Sequence, residues 1–351
     1  MRVLLHDNQI CERGTTTSML DYARALRGRG HDVELSYWSE SPANVPTVIE
    51  RVRTEFPLHG HKDPNRLPDS FNGFDSAYFI KAGYVDGLVL PDVHTLIHAV
   101  FKDYEPHGSR YAYISQWLAD HVRSNSLSRK GRRNGILDRG KQAQLEGCKN
   151  ALEFDHLDLI VDIAEPQSGM RDHLGIPEDA FVITRFGGYD SFDISWVHQT
   201  VIDLLNSNSG WYFVGLNTAQ FTNHERAIFL PMTPDSVEKA SIAGAADVFL
   251  SARGEGEAFG VALAEALQLG LPVLAWEGGA YQNQRVMLRG LDGLYRSSRD
   301  LRRKLSDLAH GGDAVSREHR LARGNRFRPR VISPRLEQLL QRGMSSSEDQ
   351  A

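Results

Sequence analysis

The sequence predicts an α/β protein of two doubly wound, Rossmann-like domains facing a cleft, and three observations predict it. Apolar runs of strand length alternate with segments of helical period in both halves of the chain. The alternation is interrupted once, by "AEPQSGMRDHLGIPEDA", a Pro- and Gly-bearing stretch suited to a connection between domains. The length of 351 residues accommodates two medium domains, and no repeat of solenoid period is visible. The expected division is residues 1–165, 166–325, and a C-terminal helix and disordered tail over 326–351.

In the first half, "RVLL" reads as a short buried strand that "DNQICERG" interrupts. A helix follows from Thr15, with Thr15 or Thr16 as cap and Met19, Leu20, Ala23 and Leu26 at helical spacing. Arg27 and Arg29 suit its C-terminal end, and Gly28 or Gly30 stops it. "HDVELSYW" completes a strand–helix–strand unit, the start of a parallel sheet. Strands are expected at "SAYFI", "HTLIHAV", "YAYIS" and "LDLIVDI", and a helix at "WLADHVRSN" with Ser115 as cap. In the second half the strands are "FVITRFGG", "GWYFVGL", "RAIFLPM", "DVFLSA" and "LPVLAW". The helices are "WVHQTVIDLL", "PDSVEKASIAGA", "VALAEALQL", "SRDLRRKLSDLA" and "SPRLEQLLQ".

Composition narrows the function classes. Hydrophobic residues make up 41%, charged residues 24%, and the net charge is −5, which gives no global case for nucleic acid or an anionic membrane. Two cysteines, Cys11 and Cys148, supply neither a disulfide framework nor a Cys-based zinc site. They fit a reducing, cytoplasmic setting, with peripheral contact at the inner membrane face left open. No stretch approaches the roughly 18 apolar residues of a membrane helix, and the N-terminal apolar run is too short for a signal peptide. Between residues 123 and 141 seven residues are Lys or Arg against one Asp. Such a run can guide an anionic acceptor, a phospholipid surface or nucleic acid. It lacks the interleaved aromatics of a single-strand binder, and a solvated loop is the simpler reading.

The chemistry concentrates in "RGEGEAFGVALAEALQLGLPVLA", residues 253–275. "DVFLSA" delivers the chain to the carboxyl end of a parallel strand, where ligands of open α/β sheets bind. The Gly-rich loop lets backbone N–H groups approach a ligand. The helix beginning near Phe259 and Gly260 offers unpaired N–H groups and a partial positive charge to a phosphate. Glu265 lies about 7.5 Å along the helix axis from Gly260, comparable to the step from a diphosphate to a ribose, and a carboxylate accepts bonds from two vicinal hydroxyls. Glu257, ahead of the helix, lies on the other side of the phosphates, where it can accept bonds from a sugar. A nucleotide sugar has this layout. Two solvated glutamates at a loop–helix junction are the plain alternative.

The run "EAFGVALAEALQLGLPVLA" resembles the donor-binding motif of GT-B-fold glycosyltransferases of the family-4, retaining type, down to the helix-ending Gly-Leu-Pro and the following strand. The resemblance covers the last third of the chain directly and most of the rest more weakly. It implies a transferase that needs no metal and no resident cofactor, with a nucleotide-diphosphate sugar as co-substrate. The acceptor would be a glycan, a lipid-linked or a small molecule. It implies that Glu257 binds the donor sugar and acts in catalysis, that the amides of Phe259 and Gly260 bind sugar or phosphate, and that Glu265 binds the ribose. The base would lie against residues 229–232.

The family places an Arg and then a Lys after the first strand of the C-terminal domain to neutralise the diphosphate. In "VITRFGGYDSFDISW" Arg185 takes the first place. The Lys is missing, and neither Lys nor Arg returns until Arg226. A leaving diphosphate gains charge, which cations stabilise, so Arg253 or another group must substitute or activity is weak. The family's N-domain glycine loop corresponds to "CERGTTTS", where Gly14 amides and the Thr15 and Thr16 hydroxyls would touch phosphate or acceptor. Simple helix capping is the competing reading. A strand-end histidine facing the donor sugar corresponds to His94 or, better, His98, against a purely structural histidine. Lys81 ends another strand, as a phosphate or acceptor contact or as an ordinary surface lysine. The carboxylate pairs in "YDSFD" and "DHLD" lack the tighter Asp-x-Asp of metal-dependent GT-A enzymes, so no metal is expected.

Two other classes compete. A nicotinamide-dependent oxidoreductase shares the doubly wound architecture, but the turn after the first strand lacks Gly-x-Gly-x-x-Gly. A catalytically silent sugar-nucleotide binder on the same fold is consistent with the missing Lys.

Overall fold

The computed structural model describes residues 1–90, 92–128 and 155–341. The described residues form two compact units, those within 1–160 together with 329–341, and 161–328. The first contains a seven-stranded parallel sheet: β1 (Arg2–Asp7), β2 (Asp32–Trp38), β3 (Leu58–His61), β4 (Ser76–Lys81), β5 (His94–Ala99), β6 (Arg110–Tyr113) and β7 (Asp155–His156), in the order β3-β2-β1-β4-β5-β6-β7. Strands β4 and β5 are buried at every residue, as expected of strands whose two faces are both covered by helices and loops.

The second unit holds a six-stranded parallel sheet of β8 (Phe181–Phe186), β9 (Trp211–Leu216), β10 (Ala227–Leu230), β11 (Val248–Ser251), β13 (Val273–Trp276) and β15 (Leu294–Tyr295), in the order β10-β9-β8-β11-β13-β15. A separate pair joins β12 (Gly256–Glu257) to β14 (Tyr281–Gln282). Ile183, Val197, Val201, Phe213, Leu250 and Leu305 anchor its core. In each sheet the strand order reverses beside the first strand, between β1 and β4 and between β8 and β11. The loops leaving those neighbours diverge, which opens a crevice at the carboxyl ends. The segment singled out by sequence follows β11.

Several expectations are corrected. The first helix runs Gly14–Gly28 with Arg13 as N-cap and no side-chain cap, so neither Thr15 nor Thr16 caps it. Ser115 does cap its helix, Gln116–Ser128, by accepting from the Leu118 amide at 3.3 Å. "LDLIVDI" is not a strand: only Asp155–His156 pairs with β6. Beyond it the chain has no regular structure, with Leu157 donating to Tyr113 O and Val161 donating to Phe327 O. The division between units therefore falls at 160/161. The C-terminal helix, Pro329–Leu340, belongs to the first unit, where Ser76 Oγ donates to Leu340 O at 2.6 Å and Arg29 and His31 pair with Glu337. Most of the basic stretch at 123–141, the residues from 129 on, lies outside the described residues, as do Cys148 and the tail.

Candidate functional site

The loop after β11 is built around one backbone crossing. Gly256, with φ of 78°, pairs with Tyr281 so closely that a Cβ there would stand 1.9 Å from the Tyr281 carbonyl oxygen. Only glycine tolerates both the dihedral and the approach. Two buried amides then fix the loop. Gln284 accepts from the Glu257 N–H at 3.1 Å and donates to Trp276 O and Gly278 O. Asn283 donates to Phe259 O at 2.7 Å. The Phe259 ring is buried and packs edge-on against Phe327, so any ligand contact from this residue comes from its backbone.

Gly260, at φ of 100°, is the N-cap of the helix Val261–Gln268, which has no side-chain cap and no acidic residue in its first turn. The helices Ser236–Gly244, Ser298–Ala309 and Arg317–Gly324 are capped by Asp235, Ser297 and Ser316. The first-turn amides of Val261–Gln268 therefore lack the side-chain oxygen that these three receive, as do those of Gly14–Gly28, Pro46–Glu55 and Ser195–Ser207, and the helix dipole adds to their positive potential.

Glu257 precedes this terminus in the chain and Glu265 follows it. The Glu257 side chain is 15% exposed. It accepts from Ser251 Oγ at 3.5 Å and lies 3.5 Å from Arg253. Burial raises its pKa, against the opposing pull of Arg253, Ser251 and Arg185. Arg253 also bonds Glu255 at 3.3 Å. Glu265, one turn into the helix and 13% exposed, accepts from Lys239 Nζ at 2.5 Å. Lys239 comes from the helix Ser236–Gly244, and its ammonium also lies 5.4 Å from the Phe186 ring centroid. No sequence signal marks Lys239, because its partner is 26 residues away. Asn283 and Gln284 escaped for the same reason.

Arg185 corrects an expectation. It is only 2% exposed, and its guanidinium is engaged by the protein itself. Nη1 donates to Asn217 O and Thr218 Oγ1, and Nη2 to Gly188 O and Ser191 Oγ. Burial lowers its pKa to about 10, which leaves it charged at neutral pH. Arg185 thus shapes the loop after β8, and Asp193 straps that loop to the next by accepting from the Gly254 amide at 2.6 Å. Phe229 packs into the aromatic cluster with Phe213 and Phe221, and the Leu230 carbonyl accepts from Asn217 N.

In the first unit the structure redirects most candidates. The buried Thr16 hydroxyl donates to the Asp7 carboxylate at 3.0 Å instead of pointing outward. A Cβ on Gly14 would meet nothing within 4 Å, so no close approach requires glycine there. His98 is fully buried: Nε2 bonds Leu157 O at 2.8 Å and Nδ1 bonds Tyr78 Oη at 2.7 Å. A carbonyl only accepts, so Nε2 carries the proton and Nδ1 accepts from the tyrosine. That makes His98 a core residue, not a sugar contact. His94 is likewise buried, with Nε2 on Leu339 O. Lys81 is neither a surface lysine nor open to phosphate. It is buried against Asp86, Leu88 O and His107, and burial lowers its pKa. Among the described residues, no three His, Cys, Asp or Glu side chains gather as a metal-binding group.

This buried polar layer predicts acid sensitivity. Burial lowers His6 to about 3 and His98 and His107 to about 4. Below the ordinary histidine value of 6.5 the unfolded chain takes up protons that the folded chain excludes, so stability falls with pH. Asp7, raised by burial to about 6, acts in the opposite sense. Between pH 7 and 5.5 the loss from the three imidazoles outweighs the opposing contribution of Asp7, a net destabilisation of roughly a few kcal/mol. Urea unfolding at the two pH values measures it, and an unchanged midpoint would contradict the buried-neutral assignment.

No protein-family model matches the chain, and no curated protein sequence matches it. Solved structures do. Anabaena HepE, solved in complex with UDP and glucose, is 14% identical, with 97% of this chain and 99% of that chain covered and a TM-score of 0.65. A glycosyltransferase from Rickettsia africae is 12% identical over the same shares, with a TM-score of 0.69. Sucrose-phosphate synthase from Thermosynechococcus elongatus is 14% identical, with 96% and 98% covered and a TM-score of 0.62. The chain has the GT-B fold over nearly its whole length. Among the described residues no helix is long and apolar enough to cross a membrane.

Proposed function

We propose that the protein is a glycosyltransferase that moves a sugar from a nucleotide-diphosphate sugar to an acceptor hydroxyl. The observation that carries this reading is the side-chain-uncapped terminus of Val261–Gln268, bracketed by Glu257 and Glu265 at the reversal of strand order. Helix amides receive the diphosphate, Glu265 the ribose hydroxyls and Glu257 the sugar hydroxyls. The likeness in fold to a protein solved with UDP and glucose supports the same ligand class here.

The resemblance of the motif to the family-4 type adds the stereochemistry, which is retention, and a reaction that uses neither metal nor resident cofactor. The acceptor oxygen bonds the anomeric carbon on the face from which the diphosphate departs, and the acceptor's proton passes to the departing phosphate. The acceptor class is a glycan, a lipid-linked molecule or a small molecule, reached in the cytoplasm or at a membrane face.

Thermal-shift and calorimetric titration with UDP, GDP, ADP and their sugars tests the reading. One diphosphate at 100 times its dissociation constant should stabilise the protein by about 2.7 kcal/mol. Glu265→Gln should weaken that ligand about tenfold, since a charged acceptor bonds the ribose more strongly than an amide. Stabilisation by none of the ligands would refute the assignment. The internal engagement of Arg185 favours one second reading, a catalytically silent binder of the same ligand. Release of nucleotide from the donor in water, or its absence, separates the two.

A further inference from the structure

The diphosphate of the proposed ligand carries two or more negative charges, and the helix terminus supplies only partial positive charge. A full cation should stand within reach. Arg185 has four protein acceptors on its two terminal nitrogens. Arg253 lies between Glu255 and Glu257, on the sugar side. Lys239 differs from both. Its side chain is 28% exposed, and its ammonium meets Glu265, the ribose carboxylate of the proposed site, at 2.5 Å. An ammonium has three donors on a flexible four-carbon stem, and the hydrogen bond to Glu265 uses one. Glu265 is four residues into the helix from Val261, about 6 Å along the axis, a distance that rotation of the stem can span.

Resting on the nucleotide-sugar reading, we propose that Lys239 is the diphosphate cation of this site, standing in for the lysine missing after β8. It neutralises Glu265 until ribose hydroxyls take over that carboxylate. It then donates to the phosphate next to the ribose. A lysine on the helix Ser236–Gly244 thereby serves the role that the loop after β8 does not fill: residues 186–225 contain neither Lys nor Arg. The ion pair also accounts for a partly buried carboxylate with no other partner among the described residues.

The alternative is that Lys239 only positions Glu265, and comparison of nucleoside with nucleoside diphosphate separates the two roles. Binding of UDP, GDP and ADP, and of uridine, guanosine and adenosine, is measured to the wild type and to Lys239→Met and Lys239→Arg. Lys239→Met should weaken the preferred diphosphate about 10- to 100-fold, the loss of a charge-assisted bond, and change its nucleoside less than threefold. Lys239→Arg should recover most of the diphosphate affinity, and the salt dependence of diphosphate binding should be shallower in Lys239→Met. Equal losses for nucleoside and diphosphate would overturn the proposal in favour of positioning, and no loss for either would overturn both roles. If the wild type binds none of the diphosphates, this inference falls together with the function on which it rests. A melting temperature within a few degrees of wild type shows that the variant folds, as expected for a partly exposed helix residue.

Discussion

Glu257→Ala lowers sugar transfer by about 10²- to 10³-fold while the affinity for nucleoside diphosphate stays within about threefold. That split is expected of a group that meets the sugar and not the nucleotide, because an interaction made in the transition state lowers turnover without weakening the ground-state anchor. The magnitude corresponds to losing one buried, charge-assisted contact at the reacting sugar. The pH profile supplies a second signature. Burial holds the Glu257 carboxyl above its ordinary value, against Arg253 and Arg185. The carboxylate is therefore protonated at a higher pH than a solvated glutamate, and the acid limb of the rate profile is displaced upward accordingly. Glu257→Gln removes that limb as well as most of the rate. Unchanged turnover in Glu257→Ala, measured under saturating donor, would remove Glu257 from the site.

Gly256→Ala weakens diphosphate binding and transfer together. The added methyl would lie 1.9 Å from the Tyr281 carbonyl oxygen and 3.1 Å from that of Gly278, at a φ of 78°. Neither contact is relieved by a side-chain rotation, because both partners are backbone. The pairing of β12 with β14 must open, and with it the Glu257 amide loses its register with Gln284. We expect at least a tenfold loss of diphosphate affinity and a lowered melting temperature. Gly14→Ala is the control. Its Cβ meets nothing within 4 Å and it begins a helix, so the substitution should stabilise by about 0.4–1 kcal/mol through the unfolded chain. Equal behaviour of the two variants in thermal unfolding would mean that the crossing at Gly256 is not tight.

How much of this was legible in the sequence follows from the range of each signal. Helical and strand periods are written in neighbouring residues, so the alternation of both units and the run from Gly254 to Ala275 could be read directly. The helix Pro46–Glu55, strand β3 and the helix Arg317–Gly324 were passed over, although Pro46 at the start of the first and Ser316 as the cap of the last were local marks of a helix beginning. The partners of polar side chains are a different matter. His98, Lys81 and Arg185 were placed correctly near strand ends. Whether each faced solvent depended on what packed over it: Tyr78 and Leu157, Asp86 and His107, and the loops carrying Ser191 and Asn217.

The sequence by itself determined that the chain alternates strand and helix twice over, and that two glutamates flank a glycine-led helix start. The tertiary structure alone decided which cations accompany those glutamates, and that Arg185 is committed to its own loop while Lys239 reaches Glu265. The reason is that periodicity is a property of adjacent residues. Burial and ion pairing are set by sheet order, which brings together side chains far apart in the chain.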